Sequence, residues 1–193
     1  MSPAGAPDGG LPASVGSGLP AAVGGGAVTY VGIGANLGDA QATVAAAGLA
    51  LAALPHSRLL ALSSVYRSAP IDAAGPDFFN AVACLHTTLA AAALLAELQA
   101  IERSFGRQRP YRHAPRSLDL DLLLLGGEVV NSAALTLPHP RLHQRAFVLQ
   151  PLLELNPALA APGLGALACW LPATADQTIH RLAPTRCQGG SSA

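Results

Sequence analysis

Leu118-Asp119-Leu120-Asp121-Leu122 alternates strictly between apolar and acidic residues, and a period of two dictates a strand. Alternate side chains of a strand share a face, so both carboxylates emerge on one side while the leucines enter a core. Leu123 and Leu125 carry the aspartates' parity, which makes that face apolar within one residue. The carboxylates are therefore expected at the rim of a buried sheet. Paired carboxylate oxygens suit one or two Mg²⁺ ions whose other positions are filled by water and phosphate oxygens. A solvated strand face with two charges is the competing reading.

The other charges favour a local anionic ligand. Eleven acidic residues balance eleven basic ones, and every basic residue is Arg. A nucleic-acid-binding domain is usually more basic. Arg103, Arg107, Arg109, Arg112 and Arg116 nevertheless crowd just ahead of the aspartates, and guanidinium forks grip phosphate oxygens in pairs. A solvated basic loop is the alternative. No P-loop is possible, because its Lys is missing. The glycines of Gly32-Ile33-Gly34-Ala35-Asn36-Leu37-Gly38 miss the dinucleotide-binding spacing by one residue and are read as a turn after the first strand.

With 193 residues, 51% of them hydrophobic, one domain with a sizeable core is expected. Cys84, Cys169 and Cys187 are odd in number and unpaired in spacing, which suggests neither a disulfide framework nor zinc. No secretory signal or membrane-length apolar run is visible. The expectation is a soluble, cytoplasmic, single-domain monomer that binds small molecules rather than nucleic acid or membrane.

Residues 1–26 are Gly, Pro, Ala and Ser with little bulk, a composition that does not fold alone. Ala27 to Ile33 reads as a strand, and a helix runs from about Asp39 to Leu54, where Pro55 stops it. Extended pieces at Arg58 to Leu62 and Val65 to Ser68, an irregular 69–77 segment and a strand from Phe79 to Thr87 follow. Leu94, Leu98, Ile101 and Phe105 mark a second helix capped by Gly106, with Glu97, Gln99, Glu102 and Arg103 on its opposite face. After the Arg-rich loop, Ser117 to Leu125 is a strand that Gly126-Gly127 turns into a hairpin with Glu128 to Asn131. The order β-α-β-β-α-β predicts an α+β sandwich of the ferredoxin-like kind, with both helices on one sheet face, an added hairpin and a C-terminal extension. The domain is expected over 27–172, with one short helix near Gly165 to Leu171 and a poorly ordered end over 173–193.

His139 stands between Pro138 and Pro140, which would hold its ring rigidly; a purely structural loop His is the alternative. Phe78 and Asn80 share strand parity, so a ring and an amide point at one flat heterocycle while Phe79 enters the core.

Gly-x-Asn-Leu-Gly-Asp, Ser-x-Tyr-Arg-Ser, Phe-Phe-Asn-Ala-Val, Gly-Arg-x-Arg, Pro-Arg-x-Leu-Asp-Leu-Asp, Pro-His-Pro-Arg and Arg-x-Phe-Val-Leu-x-Pro-Leu follow in one order from Thr29 to Pro157. The set resembles the 6-hydroxymethyl-7,8-dihydropterin pyrophosphokinases. The resemblance implies transfer of diphosphate from ATP, the co-substrate, to the pterin's hydroxymethyl oxygen, releasing AMP, with two Mg²⁺ ions on Asp119 and Asp121. It implies catalytic roles for Arg107 and Arg116, and an ATP side of Gln99, Glu102, Arg109, Thr136, His139 and Arg145. Ser68, Ala69, Ile71, Asn80 and the ring pair Phe78 and Phe147 fall on the pterin side. Ala35, Ser68, His113 and Pro140 depart from the family's usual residues, without touching a metal ligand or a catalytic arginine. An inactive binding relative, a regulatory ferredoxin-like domain and a metal-dependent nucleotidyltransferase are the alternatives.

Overall fold

The computed structural model describes residues 25–70, 75–106 and 118–183. The tail before Gly25, Ile71 and the arginines at 107, 109, 112 and 116 lie outside the described residues.

β1 (Ala27–Ala35) is an inner strand of the sheet and longer than expected, since Gly32 and Gly34 are paired on both sides rather than forming a turn. The chain leaves the strand only at Asn36. Asp39 then caps α1 (Ala40–Ala52) by accepting the Ala42 N–H at 3.0 Å. β2 (Ser57–Leu62) and β3 (Tyr66–Ser68) both pair with the same side of β4 (Phe78–Thr87). Together they form one interrupted strand. At the interruption Ser63 replaces the ladder, with its Oγ accepting the Val82 N–H at 2.9 Å and its own N–H donating to Val82 O.

α2 (Ala91–Ser104) leads to β5 (Asp119–Leu125), which pairs with the other side of β1. The sheet order is β10-β3-β4-β1-β5, all neighbours antiparallel, where β10 is Ile179–Arg181. Without β10 this is the ferredoxin-like arrangement. Three differences from expectation stand out. The hairpin is made by β6 (Val130–Asn131) with β7 (Thr136–Leu137), not with β5, and a second short pair joins β8 (Ala160–Ala161) to β9 (Gly165–Ala166). A third helix, α3 (Ala146–Leu155), forms around Pro151. Finally, the sheet continues to Arg181, past residue 172, and the expected short C-terminal helix is a 3₁₀ stretch at Leu167–Thr174.

Two apolar layers flank the sheet. α1 and α2 cover one face, where Val31, Ile33, Ala81, Ala83, Leu85, Leu120 and Leu122 meet Val44, Leu51, Leu94 and Leu98. Each fully buried leucine there contributes about 1.5–3 kcal/mol. α3 and the Leu167–Thr174 stretch cover part of the other face, packing Val148, Leu149, Leu152 and Leu167 on Tyr30, Val82, Leu123 and Leu124. The register shifts between Tyr30 and Val31 against β5, so Leu124 follows Leu123 onto this second face and Leu125 turns to the helices. The expectation that Leu125 shares the aspartates' face is thereby corrected.

Among the described residues no helix is long and apolar enough to cross a membrane.

Candidate active site

Asp119 and Asp121 stand on the second face of β5, beyond the part that α3 covers. Their cross-strand partners on β1 are Gly34 and Gly32, and the next residues across, on β4, are Asn80 and Val82. Because the intervening positions are glycine, no side chain rises between the carboxylates and Asn80. Two strand spacings of about 4.8 Å put the Asp119 and Asn80 backbones about 10 Å apart on one open floor. A methyl group built on Gly34 would already meet Asn80 Oδ1 at 3.4 Å.

A cleft of about 260 Å³ lies over the carboxylates, lined by Asp119, Asp121, His139, Pro140, Arg141 and Arg145. β7 delivers His139, and the cis Leu137–Pro138 peptide precedes it. Its N–H donates to Leu123 O at 2.9 Å, tying the loop to β5. His139 Nδ1 accepts the Arg141 N–H at 3.2 Å, so the neutral ring carries its proton on Nε2. Burial holds the ring below the ordinary histidine range; Arg145 and Arg141 push the same way, against the opposing pull of Asp121 and Asp119. His139 is therefore a neutral donor between two guanidinium groups and two carboxylates.

Ser68, Ala69, Pro70, Ala146, Phe147 and the 176–179 segment line a second cleft of about 280 Å³ on the same sheet face. Asn80 Nδ2 donates to Ser68 Oγ at 3.0 Å, which fixes the amide beside that cleft. Phe78 shares the face with Asn80, whereas Phe79 packs against the helix-side core, as the parity predicted. The two clefts meet at the start of α3, where the Arg145 guanidinium carbon is 5.4 Å from the Phe147 ring centre.

The structure thus gathers Asp119, Asp121, His139 and Arg145 in one cleft, and Ser68, Ala69 and Phe147 in the other. Gln99 instead lies exposed on α2, and Thr136 is half-buried in β7. Glu102 is not on an outer helix face: it is 1% exposed, and its Oε1 accepts the Leu120 N–H at 3.0 Å. It braces β5 between the two aspartates. Arg141 and the 176–179 wall were missed in the sequence. Arg141 had a signal in its Pro-His-Pro-Arg motif, whereas the wall had none.

The carboxylates suit a hard divalent cation. Among the described residues no group of three or more His, Cys, Asp and Glu side chains is arranged to hold a metal. A donor set of two carboxylates beside two guanidinium groups fits Mg²⁺, which keeps water and phosphate oxygens in most of its positions.

The family profile described as 7,8-dihydro-6-hydroxymethylpterin-pyrophosphokinase (HPPK) matches residues 30–157. A 2-amino-4-hydroxy-6-hydroxymethyldihydropteridine pyrophosphokinase of Pseudomonas aeruginosa is 44% identical over 151 residues, covering 78% of this chain and 93% of the relative. The protein of the same name from Haemophilus influenzae is 38% identical over 153 residues, covering 79% and 96%. Among solved structures, the Plasmodium falciparum HPPK-DHPS protein with pteroate superposes with a TM-score of 0.60 at 11% identity over 76% of this chain. This chain spans 43% of that one, and the likeness is one of fold.

Proposed function

The chain belongs to the 7,8-dihydro-6-hydroxymethylpterin-pyrophosphokinase family, and from that premise we propose how its two clefts divide the reaction. It is an ATP-dependent diphosphotransferase of folate biosynthesis: the hydroxymethyl oxygen of the pterin bonds to the β-phosphorus of ATP, the bond from that phosphorus to the α-phosphate oxygen breaks, AMP leaves, and the hydroxyl proton goes to solvent.

The carboxylate cleft takes the triphosphate. Asp119 and Asp121 would hold two Mg²⁺ ions, which would supply positive charge against the phosphate oxygens of ATP. His139 donates a neutral N–H, and Arg141 and Arg145 offer charged forks, so the cleft binds anionic oxygens without surrendering its carboxylates to direct repulsion. Arg107 and Arg116 meet charge that develops during transfer, and Arg109 holds ATP. Gln99, Thr136 and Glu102 lie on the ATP side, Glu102 acting through its brace on β5.

The second cleft takes the pterin. Phe147 and Phe78 supply flat apolar surfaces, Asn80 and Ser68 meet polar edges of the heterocycle, and Ala69 and Ile71 are assigned to the same substrate. Phosphoryl transfer depends mostly on positioning and charge, and no covalent nucleophile is required. The whole arrangement acts as a monomer in the cytoplasm.

The observation that carries this reading is the common floor: paired carboxylates, glycines and the Asn80 amide on one sheet face, with a cleft over each end. Incubation of the protein with ATP, Mg²⁺ and the dihydropterin, followed by chromatography, tests it. AMP and the pterin diphosphate are expected in equal amounts; pyrophosphate with an adenylylated pterin would reverse the assignment of the leaving group.

A further inference from the structure

Gln177 lies twenty residues beyond the stretch that the family profile matches, in a segment whose composition promised only a frayed end. Its side chain nevertheless makes two hydrogen bonds to the backbone at the start of α3. Ala146 N–H donates to Gln177 Oε1 at 2.8 Å, and Gln177 Nε2 donates to Gln144 O at 2.8 Å. The partners fix the amide's orientation, since only its oxygen accepts an N–H and only its nitrogen donates to a carbonyl. One side chain therefore spans the backbone on either side of Arg145.

That location matters for both clefts. Arg145 is the cap residue of α3, yet its own side chain makes no capping bond, and the Ala146 N–H is one of the donors a helix start leaves without an internal partner. Gln177 satisfies it from 31 residues away. On one side of the clamped peptide Arg145 lines the carboxylate cleft; on the other, Phe147 lines the neighbouring cleft, which Gln177 also lines. The clamp is itself anchored: Ile179 pairs with Ser68 in β10, and Arg181 donates to Glu154 on α3 at 2.8 Å and to Ser64 Oγ at 2.9 Å.

We propose that Gln177 is a positioning residue, which sets the Phe147 ring against the heterocycle and the Arg145 guanidinium against the phosphates as one unit. The proposal rests on the assignment of the clefts given above. It makes the C-terminal segment a working wall of the site.

Two full-length variants test it. Gln177→Leu keeps approximate shape and removes both bonds; Gln177→Glu keeps the acceptor for Ala146 N–H and places a negative charge at a helix start where it is favoured, but turns the donor to Gln144 O into an oxygen that repels it. KM and kcat for each substrate, and thermal unfolding, are measured beside wild type. Gln177→Leu is expected to raise the dihydropterin KM about tenfold or more and to lower kcat, as small misplacements of a reacting pair do. Its KM for ATP should stay within about threefold, because several other groups hold the triphosphate. Gln177→Glu should recover part of the dihydropterin KM. Unchanged kinetics in Gln177→Leu overturn the proposal. So does an equal loss for both substrates that follows a lowered melting temperature, or a Glu variant no better than Leu. A wild-type protein that makes no AMP from ATP and dihydropterin removes the cleft assignment first, and this proposal with it.

Discussion

Truncating Glu102 to alanine probes how the fold holds the carboxylate pair. The Glu102 carboxylate is buried and accepts the Leu120 N–H at 3.0 Å, on the strand that ends the sheet. Its removal strands that N–H away from water, at about 1–3 kcal/mol. It also deletes one buried methylene, worth about 0.8 kcal/mol. The sum is about 3 kcal/mol, or a fall of about 6–12 °C in Tm for a chain of this size. Glu102→Gln keeps an acceptor oxygen for the Leu120 N–H and loses the charge that strengthens that bond, so about 1 kcal/mol is expected. Urea denaturation followed by circular dichroism measures both. Leu120 separates Asp119 from Asp121, so the alanine variant should also need more Mg²⁺ for half-maximal rate, and the glutamine variant much less of an increase. Equal destabilisation by Ala and Gln, or a loss below about 0.5 kcal/mol for Ala, would refute the brace.

Neighbouring phenylalanines should behave oppositely: Phe78→Ala weakens dihydropterin binding by about 1–3 kcal/mol with little loss of stability, and Phe79→Ala, half-buried on the helix-side core, mainly destabilises, by about 2–4 kcal/mol. Calorimetry with a non-hydrolysable ATP analogue and chemical denaturation separate the two. Glu154 accepts from Ser64, Tyr66 and Arg181, so Glu154→Ala should cost about 2–4 kcal/mol in urea, whereas Arg181→Ala, whose side chain is 58% exposed, should cost under about 1. Burial pushes the Cys84 thiol up to about 11, leaving almost no thiolate at pH 8. In a Cys187→Ser background a disulfide reagent should therefore titrate exposed Cys169 quickly and Cys84 only after unfolding.

Local signals carried most of the core fold. The apolar-acidic alternation of β5, the start near Asp39 and Pro55 stop of α1, and the leucine spacing of α2 are each set within a few residues, which is why they were legible. Leu122 to Leu125 is a run of one residue type and carries no parity, so the shift that sends Leu124 and Leu125 to opposite faces left no trace. Glu102 was misplaced because charge was read as exposure. Its spacing of four from Leu98, itself four from Leu94, puts it in the buried stripe. α3 escaped notice because Pro151 breaks its pattern and its start is held by Gln177, far along the chain. In the site, the paired aspartates and the proline-flanked His139 were visible as motifs. The joining of two clefts at Arg145 and Phe147 depends on tertiary packing, which no local pattern encodes.

The central claim is that Asp119 and Asp121 hold the metal for diphosphate transfer at the rim of the sheet. AMP released from ATP, with dihydropterin present and Mg²⁺ titrated, is measured for wild type, Asp119→Asn and Asp121→Asn. The account predicts AMP equal to pterin diphosphate in wild type, a loss of at least about 100-fold in each variant, and melting temperatures within a few degrees of wild type. A variant that unfolds normally yet keeps most of its Mg²⁺-dependent AMP release would contradict it.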